Sequence, residues 1–137
     1  MRIRPATRGD ADAVLALWEV GRTAHATTED RRVDIERMLD QQPGALIVAE
    51  ENGAIVGTVI AGSDGWRGSL WRLAVHPDQR RRGLGRQLVS AAEDRLRTLG
   101  IPRVQALVGR DDEDARAFWT SAGYPVEPGT VRHVRNV

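Results

Sequence analysis

The sequence contains neither cysteine nor lysine, and each absence excludes a kind of chemistry. A chain without cysteine has no disulfide framework and no thiolate metal ligand, and we therefore expect a cytoplasmic location. A chain without lysine cannot form a Schiff base or use a lysine amine as its nucleophile. Long apolar runs are missing too: none approaches the roughly 18 residues that span a bilayer, and we expect no membrane partner.

The sequence also lacks a clear excess of charge of either sign. The 20 basic residues, all of them arginine, nearly balance 19 acidic residues, so the net charge is +1. So weak an overall field gives little attraction for nucleic acid, and we expect no such partner. The 41% hydrophobic and 28% charged residues are typical of a globular protein, and 137 residues suffice for a single domain over 1–137.

Hydrophobic periodicity and turn residues predict an α/β domain with a mixed sheet, in the order β-α-α-β-β-β-α-β-α-β-β. The predicted strands cover residues 1–5, 45–49, 55–61, 70–75 and 104–108, with two short strands within 124–137. Four helices are predicted. The first begins at Asp10, the second covers 30–39, the third covers 84–99, and the fourth begins at Asp111 or Asp112 and ends at Gly123. Asn52-Gly53, between two apolar runs, indicates a hairpin turn.

A basic turn with two glycines separates the fourth predicted strand from the helix that follows it. It reads Gln79-Arg80-Arg81-Arg82-Gly83-Leu84-Gly85. The glycines let ligand oxygens approach the backbone, the helix start offers N–H donors, and the arginines supply positive charge. The alternatives are a solvated loop or a nucleic-acid patch, but no aromatic residues are interleaved with these arginines. The turn therefore predicts a site for the phosphate groups of a small molecule.

Two motifs, in this order, carry a family resemblance. The first is Leu73-Ala74-Val75-His76-Pro77 followed by Arg80-x-x-Gly83-x-Gly85, and the second is Asp112-x-x-Ala115-x-x-Phe118-Trp119-x-x-x-Gly123-Tyr124. They resemble the acetyl-CoA signature and the last core helix of the GCN5-related N-acetyltransferases (GNAT). With its hairpin and the loop over 64–68, the chain is most similar to small single-domain bacterial members of unassigned substrate.

The resemblance implies a GNAT fold with splayed central strands, acetyl-CoA as cosubstrate and no metal. The pantetheine arm would pair with the strand, and the pyrophosphate would bind the turn and the helix start. The acetyl-CoA contacts expected on this basis are Leu73, Ala74, Val75, Arg80, Arg81, Arg82, Gly83, Leu84, Gly85, Arg86, Asp112 and Trp119. A primary amine of a small molecule or a protein would attack the acetyl carbonyl directly, and a homodimer is left open.

The chain departs from the family pattern at the residues that would move protons. Many relatives place a tyrosine acid where this chain has Trp119, whose indole N–H cannot titrate. Tyr124 is the remaining candidate for the acid. The two central strands carry no glutamate, so the base candidates are Asp64 or the segment with His25, Glu29 and Asp30. The catalytic residues are therefore unassigned.

Several features keep alternatives open. Loss of the tyrosine and of the strand glutamate favours a non-catalytic CoA-binding sensor or interaction module of the same fold. A nucleotide-binding domain is a further alternative, although no P-loop lysine follows the glycines. Asp112 either caps a helix or contacts the cosubstrate. Trp18, Trp71 and Phe118 are expected in the core, and for Trp71 the alternative is a place in the lining of the acceptor pocket. Trp66, in a glycine-rich loop, is a candidate for contact with an acceptor or a partner.

Overall fold

The computed structural model describes residues 1–21 and 29–137, so His25 lies outside the described residues. The chain divides into two compact units, Met1–Leu107 and Val108–Val137. The larger unit contains the whole sheet and three of the four α-helices in the described residues, and the smaller one contains the last helix.

A five-stranded sheet forms the centre of the larger unit, and its strands lie side by side in chain order. The strands are β1 Arg2–Pro5, β2 Leu46–Glu51, β3 Ala54–Ser63, β4 Gly68–Val75 and β5 Val104–Ala106. The first four pair antiparallel, and β5 pairs parallel to β4. The predicted hairpin turn is confirmed between β2 and β3: Asn52 and Gly53 both have positive φ, 52° and 80°, as a tight turn between twisted strands requires.

Three helices cover the two faces of this sheet. They are α1 Ala11–Gly21, α2 Arg32–Gln41 and α3 Leu84–Thr98. Thr58 of β3 accepts a hydrogen bond from the Trp18 indole of α1. The neighbouring Gly57 faces α3, since a Cβ added at Gly57 would lie 2.9 Å from Leu88. Because successive strand residues face opposite sides, α1 lies on one face and α3 on the other. Among the described residues, no helix is long and apolar enough to cross a membrane.

The core follows the predicted apolar faces, with two corrections. Leu84, Leu88, Ala92 and Leu96 of α3 are buried as the periodicity predicts. Leu99 was expected to continue this row but is 52% exposed, because α3 ends at Thr98 and Gly100, at φ 77°, turns the chain so that Ile101 is buried instead. Trp71 was expected in the core but is 39% exposed.

The smaller unit contains α4, Glu113–Ser121. Asp112 begins it by accepting a hydrogen bond from the Ala115 N–H at 3.0 Å, and Gly123, at φ 95°, follows its end, as the sequence predicts. The two strands predicted within 124–137 are wrong: these residues form no strand. Pro125 and Pro128 lack the N–H that a ladder needs, and the valines of this segment are exposed, so a lone hairpin here would bury too little surface.

Replacing Gly57 with valine should destabilise the fold by about 1–3 kcal/mol, because the new side chain would press on Leu84 and Leu88 in a filled core. Urea unfolding measures this loss. Gly129→Val is the matched control, since a Cβ there meets nothing within 4 Å. Equal midpoints for the two variants would contradict the close packing of α3 on β3.

Candidate functional site

The pairing between the two central strands ends early. β5 pairs with β4 only at Gly68↔Val104, Ser69↔Gln105 and Leu70↔Ala106. β4 then continues for five further residues, Trp71–Val75, beyond the last of these pairs. The two strands therefore separate after Leu70, and the edge of β4 that faces β5 is left without a β5 partner from Trp71 onward.

A β-bulge lies in β4 at this point of separation. Thr58 pairs with Ala74 and Ile60 pairs with Trp71, so Arg72 and Leu73 together face a single residue of β3. Arg72 has φ 51°, in the left-handed region that a non-glycine residue rarely adopts. Such a bulge bends its strand and turns the following residues. It therefore sets the direction of Leu73, Ala74 and Val75, the three residues predicted to pair with the pantetheine arm.

The bulge is held by a buried hydroxyl group. Trp18 Nε1 donates to Thr58 Oγ1 at 2.8 Å, and Thr58 Oγ1 donates to the Arg72 carbonyl at 2.9 Å. Thr58 is fully buried, at 0% exposure. Since a buried polar group without a partner is costly, this chain of bonds ties α1 and β3 to the bulge in a single arrangement.

An ion pair and a ring contact hold the side chain of Arg72. Its Nη2 lies 2.5 Å from Asp30 Oδ1, and its guanidinium carbon lies 5.5 Å from the centroid of the Trp18 ring. Asp30, one of the base candidates, is therefore engaged by a cation beside the bulge.

The basic turn follows β4 and leads into α3 through unusual backbone geometry. Pro77–Gln79 forms a short 3-10 helix, and then Arg81 and Gly83 take positive φ values of 64° and 77°. Left-handed residues within a turn bring successive N–H groups together into an anion-binding concavity. Gly83 is also the N-cap of α3 and has no side chain to cap the first-turn N–H groups. The turn therefore presents backbone donors where the sequence predicts a phosphate.

The arginine side chains of this turn are exposed to solvent, whereas its leucine is buried. Leu84 is buried, at 3% exposure, and fixes the start of α3. Arg80, Arg81, Arg82 and Arg86 are exposed. Arg80 Nε lies 3.4 Å from the Val75 carbonyl, and Arg82 Nη1 donates to Gln79 Oε1 at 2.9 Å. The positive charge is thus concentrated at the end of β4, directly after the residues that the bulge orients.

Asp64 caps its own loop. Its Oδ1 accepts from the Trp66 and Arg67 N–H groups at 2.9 and 2.6 Å, and its Oδ2 accepts from the Arg67 guanidinium. The Arg67 backbone N–H, then the Trp66 N–H and the Arg67 side chain, lower the pKa of Asp64 to about 2. A carboxylate with so low a pKa is a poor general base near neutral pH.

Three of the predicted site residues lie in the smaller unit. Asp112 caps α4 through Ala115. Trp119 is buried, and its ring contacts Phe118 and Tyr124 edge-on, with centroids 5.4 and 5.1 Å apart. The expected role of Phe118 in the core is met in part, since it is half-buried. Asp112 and Trp119 as cosubstrate contacts, and Tyr124 as the acid, stay predictions.

Thr58 and Arg72, the residues that hold the bulge, are not among the site residues that the sequence predicts. One signal was available: Thr58 is a lone hydroxyl inside an otherwise apolar run, and a buried hydroxyl needs partners. Its partners are far away in the sequence, so the local pattern around Thr58 does not identify them.

Across residues 1–21 and 29–137, no group of three or more His, Asp or Glu side chains could hold a metal ion.

Thr58→Val should cost about 1–3 kcal/mol of stability, because the change leaves the Trp18 N–H and the Arg72 carbonyl without their partner. Thr58→Ser keeps the hydroxyl and should lose less. Chemical unfolding of both variants measures the difference. If the valine variant is as stable as the serine variant, the hydroxyl does not hold the bulge.

The carboxyl group of Asp64 should titrate with a midpoint near pH 2, which NMR of its carboxyl carbon measures. Since the folded state lowers this pKa, the ionised carboxylate contributes to the free energy of unfolding above about pH 4. This contribution is lost as the pH falls through 2. Asp64→Asn should remove that part of the acid sensitivity. In Arg67→Gln the midpoint should rise only part of the way to its ordinary value, because the two backbone donors remain. A midpoint near 4 in the unmodified protein would contradict this geometry.

Comparison with known proteins agrees with this arrangement. The model of the Acetyltransferase (GNAT) family matches residues 11–124. An acetyltransferase of Pectobacterium atrosepticum is 44% identical over 115 residues, which cover 84% of this chain and 80% of the relative.

Solved structures of the same fold include enzymes that act on aminoglycosides. An aminoglycoside 6'-N-acetyltransferase of Acinetobacter haemolyticus superposes with a TM-score of 0.79 at 17% identity, covering 100% of this chain and 99% of that one. A second, solved with a CoA-linked bisubstrate analogue, has a TM-score of 0.78 at 19% identity and covers 99% and 97%. At these identities the likeness establishes the fold. The family match and the close relative establish more: the chain belongs to the GNAT family of acetyltransferases, enzymes that transfer an acetyl group to an amine.

Proposed function

We propose that acetyl-CoA binds along the edge of β4 that β5 leaves unpaired, and that its acetyl group passes directly to an amine. The observation that carries this proposal is the end of the β4–β5 ladder at Leu70. Beyond it, Leu73–Val75 present a strand edge that has no β5 partner. The amides of a pantetheine arm can add to such an edge as an extra strand does.

The pyrophosphate of the same molecule fits the turn that follows. The left-handed Arg81 and Gly83 and the uncapped start of α3 supply backbone donors. Arg80, Arg82 and Arg86 add positive charge from the solvent side. The short distance along the chain from Val75 to Gly83 lets one extended ligand use both the strand edge and the turn.

Transfer requires one bond to form and one to break. The neutral amine attacks the acetyl carbonyl. The new C–N bond forms and the nitrogen gives up a proton, while the C–S bond breaks and the thiolate of CoA leaves and takes up a proton. The gap between β4 and β5 supports this step because it holds the carbonyl beside the bulge, where proximity replaces a bimolecular encounter. No acyl-enzyme is needed, which agrees with a chain that contains no cysteine.

The proton-transfer residues are not assigned. Asp64 has too low a pKa for an effective base, and Asp30 is bound to Arg72. Tyr124 stays a candidate for the acid. The acceptor amine belongs to a small molecule or a protein. The cytoplasmic location, the homodimer and the single domain over 1–137 stay predictions from the sequence.

Replacing Arg80 and Arg82 together with alanine should weaken the binding of CoA by about tenfold or more, because charge-assisted bonds to the pyrophosphate are lost. Isothermal calorimetry at two salt concentrations measures this loss. Arg97→Ala, at the other end of α3 and 68% exposed, is the matched control. Unchanged affinity in the double variant would remove the turn from the proposed site.

Release of free CoA thiol across a panel of amines separates catalysis from mere binding. Thiol release above the acceptor-free rate is the expected result. Tight binding of CoA without acceptor-dependent release from any amine would instead support the non-catalytic sensor.

A further inference from the structure

A pocket of about 650 Å³ lies in the larger unit, on the sheet face that carries α1 and α2. Its walls come from α2, β3, the β3–β4 loop, β4 and the start of β5. Trp71 forms part of the wall, and it is the first β4 residue after Leu70, where the ladder with β5 ends. The pocket therefore borders the gap in which the acetyl group would lie.

The ionisable side chains of this pocket have an excess of positive charge. Two arginines and one aspartate line it: Arg67, Arg103 and Asp64. Asp64 is held by the Arg67 guanidinium and by backbone N–H groups, which keep its pKa at about 2 and its carboxylate ionised. With two cations and one anion, the lining has a charge of +1. A polycationic acceptor would meet repulsion here, whereas a ligand with a carboxylate would be attracted.

The backbone at each of the two arginines is held by a hydrogen bond to its carbonyl. The Arg103 carbonyl accepts from the Gly68 N–H at 2.9 Å, directly before the first β4–β5 pair. Arg67 is fixed by Asp64 and lies with its guanidinium carbon 5.3 Å from the centroid of the Trp66 ring. A planar guanidinium on a positioned backbone suits two-point binding of a carboxylate.

The remaining lining completes a site for a small polar molecule with an apolar part. Gln105 Nε2 donates to Ser69 Oγ at 3.1 Å, and Gln42 Oε1 accepts from the Ser63 N–H at 3.2 Å. Both glutamines are thereby oriented along the pocket wall. Trp71, 39% exposed, supplies a flat apolar surface in the same lining.

We propose that the acceptor is a small amine that also carries a carboxylate, as an α-amino acid does, with the carboxylate bound by Arg103 and Arg67. This inference rests on the proposed acetyl transfer, and it narrows the acceptor to one chemical class. The bound carboxylate keeps its charge throughout; the amine nitrogen gains the acetyl group and loses a proton. An aminoglycoside, which carries several positive charges and no carboxylate, is disfavoured by the charge of the same pocket.

The test compares matched pairs of acceptors: α-amino acids with aromatic, aliphatic and polar side chains, each against its own carboxamide. Thiol release from acetyl-CoA gives kcat/KM for every acceptor with the unmodified protein and with Arg103→Gln and Arg67→Gln. Each acceptor is compared between proteins, so the different amine pKa of acid and amide cancels. Arg97→Gln is the control, since its side chain is 68% exposed, as that of Arg67 is, and it lies outside the pocket.

The expected result is a fall of about 10- to 100-fold in kcat/KM for the amino acids with Arg103→Gln, a smaller fall with Arg67→Gln, and no fall for the carboxamides. Arg103→Glu should reverse the preference towards the carboxamides. The affinity for CoA, measured by calorimetry, should be the same in all variants, which also shows that they fold.

Two results would overturn the assignment. One is an equal loss for acids and carboxamides, and the other is acetylation of other amines with no amino acid exceeding its carboxamide. If no amine releases thiol, the carboxylate site is tested separately by measuring the binding of amino acids to the protein–CoA complex. Binding that Arg103→Gln weakens supports the site, and the absence of binding refutes it. The absence of thiol release then counts against the proposed transfer alone.

Discussion

Thr58 uses one buried hydroxyl group to bind both the indole of Trp18 and the carbonyl of Arg72. Through it, the first helix and the third strand are joined to the bulge in the fourth. Without the bulge, β4 would continue straight, and Leu73–Val75 would lie at a different angle to the turn that follows. The unpaired strand edge, the basic turn and the pocket beside Trp71 all take their positions from that bend.

Charge divides the site into two parts with different tasks. The exposed arginines of the turn stand in solvent, where the attraction of each for a phosphate is screened. In the proposed site, backbone donors from the left-handed residues and the start of α3 therefore contribute to phosphate binding as well. In the pocket beside the gap, the arginines are fewer, and one of them, Arg67, is held by Asp64. In the proposed site, the charge of this pocket selects the acceptor, and many weak donors at the turn together bind the cosubstrate.

The carboxylates illustrate why a residue type alone does not assign a catalytic role. Asp64 and Asp30 were both candidates for the base because no glutamate lies on the central strands. In the fold, each is bound by an arginine, and Asp64 also by two backbone N–H groups. For Asp64 these bonds lower the pKa to about 2, and the carboxylate caps its own loop. The same bonds that make the carboxylate a good cap remove its ability to accept a proton near neutral pH.

Local patterns in the sequence determined the features that depend on near neighbours: the Asn52-Gly53 turn, the cap at Asp112, the buried row on α3 and the glycine turn that begins that helix. Family resemblance added the cosubstrate. The predictions from the sequence were wrong where burial or strand formation depended on the ends of elements or on missing partners. These were the burial of Leu99 and Trp71 and the two strands within 124–137. Only the tertiary structure decided the bulge, the Asp30–Arg72 pair and the charge of the pocket. Their partners lie far apart along the chain, Trp18 and Thr58 being separated by 40 residues, and periodicity carries no information over that distance.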